Sequence, residues 1–288
     1  MKDNSENFNS YKDLKTLLPE IINDFESSQQ NDFNKAEEHV MTGFKDINFK
    51  KGNLIILASR SCLGKTCLAL NLLLNIASNT KKGVGYVTCG EHDEIDISRK
   101  LLAISSEISI SKINRSKLNE DELKKLREKS DELLNTPVFI NDSPNIFFEE
   151  FELESKLMVE QQNVEIIFVD SYEYLREVVD ADKDELPCVH KELLKKYKEV
   201  ARDLNIPIVM LMNLLHSDDD KEPSISDFKE NMIIPRTADV VFLLHRERIM
   251  NDGKKCEATM LVGKNVNGRY SDIPLWFYPE TGGFKDFA

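Results

Sequence analysis

An apolar run, LIILA (54–58), passes directly into SRSCLGKT (59–66) and from there into the apolar stretch CLALNLLLNIA. A buried-type strand that turns through small residues and re-emerges as a helix beginning Gly-Lys-Thr is the setting of a phosphate-binding loop. Gly64 lets the backbone approach phosphate oxygens, and the N–H groups at the start of the helix point at them. Lys65 supplies a cation for the β and γ oxygens, and the Thr66 hydroxyl is placed to bind magnesium. The pattern G-x-x-x-x-G-K-[ST] has Ser59 in place of its first glycine. That glycine contributes least to the cradle, and Cys62 need offer only its backbone N–H. The expected nucleotide-binding residues are therefore Ser59, Arg60, Ser61, Cys62, Leu63, Gly64, Lys65, Thr66 and Cys67.

Further apolar runs recur at VGYVTC (84–89), PVFI (137–140), EIIFV (165–169), PIVMLM (207–212) and DVVFLL (239–244). Near-continuous apolar strands are those covered on both faces, as in a parallel sheet between helices. GKTCLALNLLLNIA, KLNEDELKKLREKSDELL and HKELLKKYKEVARDL read as the intervening helices, the last two with i,i+4 charge pairs on a solvated face. ATMLVG and IPLWFY, separated by KNVNGRYSD, read as a C-terminal β-hairpin. The fold expected is α/β, a mainly parallel twisted sheet flanked by helices, with its body running over 40–288. Residues 1–39 divide into a polar tip, a helix over 11–29 with Leu14, Leu17, Leu18, Ile21, Ile22 and Phe25 on one face, and a polar linker.

Composition narrows the partners. The formal charge is −13, from 38 Lys and Arg against 51 Asp and Glu, so the chain does not coat nucleic acid through general basicity. The five cysteines, Cys62, Cys67, Cys89, Cys188 and Cys256, show no C-x-x-C spacing and fit reduced thiols rather than a disulfide framework or zinc site. The N-terminus lacks an apolar signal region and no run approaches about 18 apolar residues, so a cytoplasmic protein without membrane contact is expected.

Two carboxylates complete the chemistry. Asp170 ends the buried run VEIIFVD, where a Walker B aspartate would hold magnesium opposite Thr66. Glu91 lies just past VGYVTCG, at the end of the strand after the loop's helix, where a carboxylate could orient and deprotonate an attacking water. An acid at a helix start is the alternative reading of Glu91.

The order of these motifs resembles the ATPase domain of DnaB-type hexameric replicative helicases, which have a RecA-like P-loop fold. The resemblance runs from TGFKDI (42–47) through ASRSCLGKT, Glu91 with KLLA, FINDSP, IIFVD, ARDLNIPIVMLMN, SDFKE and TADVVFLLHRE to VGKNVNG (262–268). The missing first glycine of the loop is itself a feature of that family. The resemblance implies ATP and Mg2+ as cofactors, with Lys65 binding ATP, Thr66 binding ATP and the metal, Asp170 as the second metal residue and Glu91 as catalytic base. It implies that Asn213 replaces a glutamine that senses the γ-phosphate, on a shorter arm, and that Lys264 reaches a neighbour's γ-phosphate. Arg246, at a strand end, is expected either to contact nucleotide or a neighbour or to play a structural role. It further implies a homo-oligomeric, hexameric ring built through helix 11–29, single-stranded DNA in its channel, and other replication proteins as partners.

The departures lean toward weaker chemistry. The family's arginine finger position is Val266, and Arg269 just beyond it is a candidate substitute. The DNA-binding loop positions held by arginine, an acid and glycine are Lys229, Glu230 and Met232. Lys229 keeps charge without a bidentate fork, and Met232 keeps a phosphate off the bare backbone. The helix after FINDSP carries Glu149, Glu150, Glu152 and Glu154 against one Lys156, which weakens phosphate binding nearby. Nothing in 1–39 matches the family's primase-interacting domain, whereas helix 11–29 resembles its linker helix. The function expected is an ATP-dependent DNA helicase or translocase. The alternative is a catalytically weakened ATP-binding paralogue that assists assembly or regulation of a helicase.

Overall fold

The computed structural model describes residues 38–214, 221–246, 255–268 and 270–287, together with Leu14, Leu18, Pro19, Ile22 and Asn23. Of the expected helix 11–29, those five residues are helical, with Leu14, Leu18 and Ile22 exposed, and the others lie outside the described residues. Arg269 also lies outside them. The chain divides into a unit of Met1–His39 and a unit of Val40–Ala288.

The second unit opens with a two-stranded sheet, β1 (His39–Met41) and β2 (Asn48–Lys50). The main body then alternates β3 (Leu54–Ser59), α1 (Lys65–Thr80), β4 (Gly83–Thr88), α2 (Glu94–Ser106), α3 (Ile110–Asn114), α4 (Glu120–Leu133), β5 (Val138–Asp142), α5 (Phe148–Gln162) and β6 (Val164–Asp170). After a 3-10 turn at Tyr172–Tyr174 come α6 (Arg176–Asp180), α7 (Leu186–Asp203), β7 (Ile208–Asn213), a 3-10 segment at Ile225–Asn231 and α8 (Ile233–Thr237). β8 (Val240–Arg246), β9 (Cys256–Asn265), β10 (Ile273–Tyr278) and β11 (Gly283–Asp286) finish the chain.

Among the described residues the main sheet has nine strands in the order β11-β10-β9-β8-β3-β7-β6-β4-β5. β8, β3, β7, β6, β4 and β5 run parallel, and β9, β10 and β11 continue the sheet antiparallel. The expected terminal hairpin is thus a three-strand meander fused to the parallel sheet. Its last strand, from the short sequence GFKD, carried no strand pattern of its own. The parallel register puts the ends of β3, β4, β6 and β7 together, with Ser59 beside Asn213 and Thr88 beside Asp170.

Alternation along β3 feeds two cores. Ile55 and Leu57 face α1, while Leu54, Ile56 and Ala58 face the side covered by α5 and α7. Each such fully buried large aliphatic side chain contributes about 1.5–3 kcal/mol. Helix α7 shows why its sequence makes one face: Pro187 fits its first turn, and His190, Leu193, Leu194, Tyr197, Val200 and Ala201 are buried at helical spacing. Helix α4 begins with an Asn119/Glu122 capping box and buries no residue fully, as its charge pattern predicts. Among the described residues, no helix is long and apolar enough to cross a membrane.

One side chain ties the start of the body to its end. Asn71 on α1 donates to the carbonyls of Cys67 (2.7 Å) and Gly282 (2.8 Å) and accepts from the N–H of Phe284 (2.9 Å).

Candidate nucleotide site

The loop between β3 and α1 is bent by two left-handed residues, Cys62 (φ 65°) and Gly64 (φ 100°). Gly64 is required by its φ, which side chains rarely adopt, while a Cβ there would make only ordinary contact with the Phe277 and Phe284 rings at 3.4 Å. Helix α1 starts at the next residue, so its first N–H groups open onto the loop. Arg246, from the end of β8, clasps the loop from outside. Its Nε donates to the Leu63 carbonyl and its Nη2 to the Cys62 carbonyl, both at 3.0 Å, with the guanidinium 4.9 Å from the Phe277 ring centroid. Of the roles open to Arg246, contact with nucleotide or a neighbour or a structural one, these bonds to the backbone that forms the cradle are structural.

The loop lines a cavity of about 330 Å³. Ser59, Arg60, Ser61, Cys62, Gly64, Lys65, Thr66 and Cys67 form one wall, and Glu91, Asn213 and Arg246 stand across it. Lys65 Nζ donates to Asn213 Oδ1 at 3.0 Å, so the shorter amide reaches the loop lysine directly. Thr66 Oγ1 donates to Asp170 Oδ2 at 2.7 Å, as does Tyr86 Oη at 2.6 Å. Asp170 is buried, and its other oxygen, Oδ1, has no hydrogen-bond partner among the described residues. A threonine hydroxyl bonded to a carboxylate that keeps one unsatisfied buried oxygen fits a magnesium ion, which takes few protein ligands and completes its shell from phosphates and water. Glu91 is exposed on the cavity wall, where it can meet a water.

Three lining residues were not read from the sequence: His92, Lys100 and Phe277. Lys100 is a further cation from the same chain, brought inward by the packing of α2 on α1. Burial pushes its ammonium below the ordinary lysine range, and Cys67, Asp170, Asp96 and Glu91 oppose that shift. Burial likewise lowers His92, with Lys100 adding to the effect, so its imidazole stays neutral at pH 7. The Cys67 thiol is pushed up by burial. The signal for Lys100 was its place in KLLA, on the helix that follows Glu91, which becomes meaningful only once α2 is docked.

The structure does not bring the remaining expected residues into this cavity. Lys264 Nζ donates to the carbonyls of Pro235 (3.0 Å), Arg236 (2.9 Å) and Ala238 (2.5 Å), capping the end of α8. Burial lowers its pKa, with Lys198 adding to the effect. Val266 is exposed in the turn after β9. Lys229 sits in the Ile225–Asn231 segment with φ 48° and ψ −116°, and Met232 is half-buried at its end. Glu230 shares that segment.

A phosphate loop at the end of a central parallel strand, with a strand-end aspartate on its threonine, defines a P-loop nucleotide-binding protein of α/β architecture. The family can be stated as well: residues 39–286 match the DnaB-like helicase C terminal domain, and the chain belongs to that family. Among similar proteins, the "Replicative DNA helicase DnaB" of Rickettsia prowazekii (strain Madrid E) is 27% identical, over 87% of this chain and 59% of its own length. That of Treponema pallidum (strain Nichols) is 26% identical, over 93% and 60%. A "Probable plasmid replicative DNA helicase" of Chlamydia trachomatis is 29% identical, over 90% and 56%. The chain thus spans less than two thirds of these relatives. Among solved structures, that of an ATPase domain superposes with a TM-score of 0.80 at 20% identity, covering 97% of this chain and 100% of that one. A DnaB-like replicative helicase, solved for its interactions with primase, gives 0.80 at 19% identity, over 97% and 68%. These likenesses establish the RecA-like fold.

Proposed function

We propose that this protein hydrolyses ATP to drive movement on, or separation of, DNA strands, as a ring of identical chains on single-stranded DNA. The observation that carries the reading is the assembly of Lys65, Thr66, Asp170, Glu91 and Asn213 at the phosphate loop in a chain of the DnaB family. The α1 N-terminus and the loop N–H groups, fixed by Arg246, bind the phosphates. Lys65 neutralises the β and γ oxygens, and Asn213 orients Lys65. Thr66 and Asp170 would hold magnesium, which would supply neutralisation of phosphate charge when bound. Glu91 accepts a proton from the attacking water as its oxygen bonds to the γ-phosphorus and the bridging bond to the β-phosphate breaks, leaving ADP and phosphate. Lys100 adds positive charge from the same chain.

The ring is supported by the exposed stripe Leu14, Leu18 and Ile22, which suits a neighbouring subunit. Lys264 would reach that neighbour's nucleotide on leaving its cap, and Lys229, Glu230 and Met232 would face DNA. Replication proteins are partners by the same reading, and a cytoplasmic location follows from it. The weakened-paralogue alternative draws on Val266 and on the capped Lys264. The relatives, named as replicative helicases, favour the first reading.

The test is steady-state ATP hydrolysis across a protein concentration series, with and without single-stranded DNA, and with Lys65→Ala as the blank. Turnover that rises with protein and again with DNA supports the ring. Turnover at the level of the blank, with ATP still bound, refutes it.

A further inference from the structure

The pairing of β6 with β7 stops at Val169 and Met210. On its other side β7 stays in register with β3 as far as Asn213, and the Leu214 N–H donates to the Ser59 carbonyl at 2.9 Å. Alternation then turns the Asn213 N–H toward the β6 side, where no strand remains to receive it. Glu173 takes that place. It stands in the 3-10 turn directly after Asp170 and Ser171, and its Oε1 accepts the Asn213 N–H at 2.5 Å. The Asn213 side chain meanwhile accepts from Lys65. One residue is thus gripped through its backbone by Glu173 and through its amide by the phosphate-loop lysine.

The second carboxylate oxygen of Glu173, Oε2, is buried and has no partner among the described residues. Glu173 borders a cavity of about 190 Å³ that also meets Asn213 and, on the far wall, Phe228, Asn231 and Ile234. Phe228 and Asn231 belong to the Ile225–Asn231 segment that carries Lys229. The near wall is stiffened by Tyr172, whose Oη lies 2.6 Å from Nδ1 of buried His190. Phe228 and Ile234 pack in the same core as Tyr172 and Met212, and His190 on the near wall interacts with Asn231, so a displacement of the far wall is carried to Glu173 and Asn213 through packed side chains.

We propose that Glu173 is a positioning residue of the ATP site, holding Asn213 on Lys65 and transmitting displacement between the nucleotide cavity and the 225–231 segment. This rests on the ATP-binding part of the reading above. Asn213 has a short arm, so its reach to Lys65 depends on where the β7 end is held. Glu173 sets that position by accepting one backbone proton, an office glutamine can also fill and alanine cannot.

The test uses the full chain and hydrogen exchange, with ATP or its non-hydrolysed γ-thio analogue as probe. In the wild type, nucleotide slows exchange in both 208–214 and 225–231. In Glu173→Ala the Asn213 amide exchanges about tenfold faster without nucleotide, and ATP no longer alters 225–231. Glu173→Gln restores both behaviours, a rescue that a merely space-filling role would not show. The proposal is overturned if ATP leaves 225–231 unchanged in the wild type, or if Glu173→Gln behaves like Glu173→Ala. Should Glu173→Ala not fold, the wild-type response and its retention in Glu173→Gln still decide. Hydrolysis of ATP is measured separately, so failure of the helicase reading and failure of this one are distinguishable.

Discussion

The ion pair between Lys198 on α7 and Asp239, just before β8, should behave as one unit whose halves are costly to remove singly. Lys198 Nζ lies 2.7 Å from Asp239 Oδ1 and donates to the Thr237 carbonyl at 3.0 Å, and the side chains are only 19% and 11% exposed. Asp239 Oδ2 accepts the Leu54 N–H at 3.1 Å, and its own N–H donates to the Leu54 carbonyl at 2.9 Å. It therefore pins the start of β3, the strand that carries the phosphate loop. At an effective dielectric constant of about 20 the gross attraction is about 6 kcal/mol, much of it offset by dehydration. Asp239→Asn keeps an acceptor for Leu54 but sets an amide or a neutral oxygen against a shielded ammonium. The expected loss is about 3 kcal/mol, or a Tm lower by about 6–12 °C for a body of this size. Lys198→Met should cost about 2 kcal/mol, since Asp239 retains the Leu54 bond. The double variant should be less destabilised than the two losses combined by about 2 kcal/mol. Urea unfolding at matched salt measures all three, and losses that add within about 0.5 kcal/mol would refute the reasoning.

Thiol chemistry follows burial: Cys62 and Cys188 are exposed, Cys89 and Cys256 buried. Iodoacetamide should alkylate the first two and spare the second two, with Cys62 protected by ATP, as peptide mass mapping would show. Val266→Arg returns a cation to the turn after β9 and should raise DNA-stimulated turnover at least about tenfold at ring-forming concentrations. No change would mean that the turn does not reach a neighbouring site. Lys100, lowered by burial, holds its proton less well in the folded chain than in the unfolded one. Stability should therefore rise with pH between its lowered pKa and the ordinary lysine value, a rise that Lys100→Met removes from urea midpoints taken up to about pH 10.

The parts of this molecule legible in its sequence are those set by local pattern. The apolar run into Gly-Lys-Thr marks β3, the loop and α1, because a doubly covered strand and a left-handed glycine leave few alternatives. Asp170 and Glu91 were legible as carboxylates at strand ends. What stayed hidden depends on who packs against whom. β11 is four residues with a glycine, and it exists because β10 offers an edge. Lys100 is one charge among several on α2 until that helix docks. Glu173 looks like another surface acid, and only the early end of the β6–β7 ladder makes it a stand-in for a missing strand. Lys264 and Arg246 were recognisable as basic residues of the last motifs, while their carbonyl partners come from segments distant in sequence.

The three bonds of Asn71 have a mechanical meaning. Two of them fasten α1 to Gly282 and to Phe284 at the start of β11, and β11 is hydrogen-bonded through β10 to β9, whose far end bears Lys264 and leads to Val266. The helix that begins at the phosphate loop and the strands that run to the outward turn are therefore joined by hydrogen bonds, with one irregularity on the way where the β8–β9 register shifts opposite Gly263. A tilt of α1 must either carry the start of β11 with it or break the bonds of Asn71 to Gly282 and Phe284.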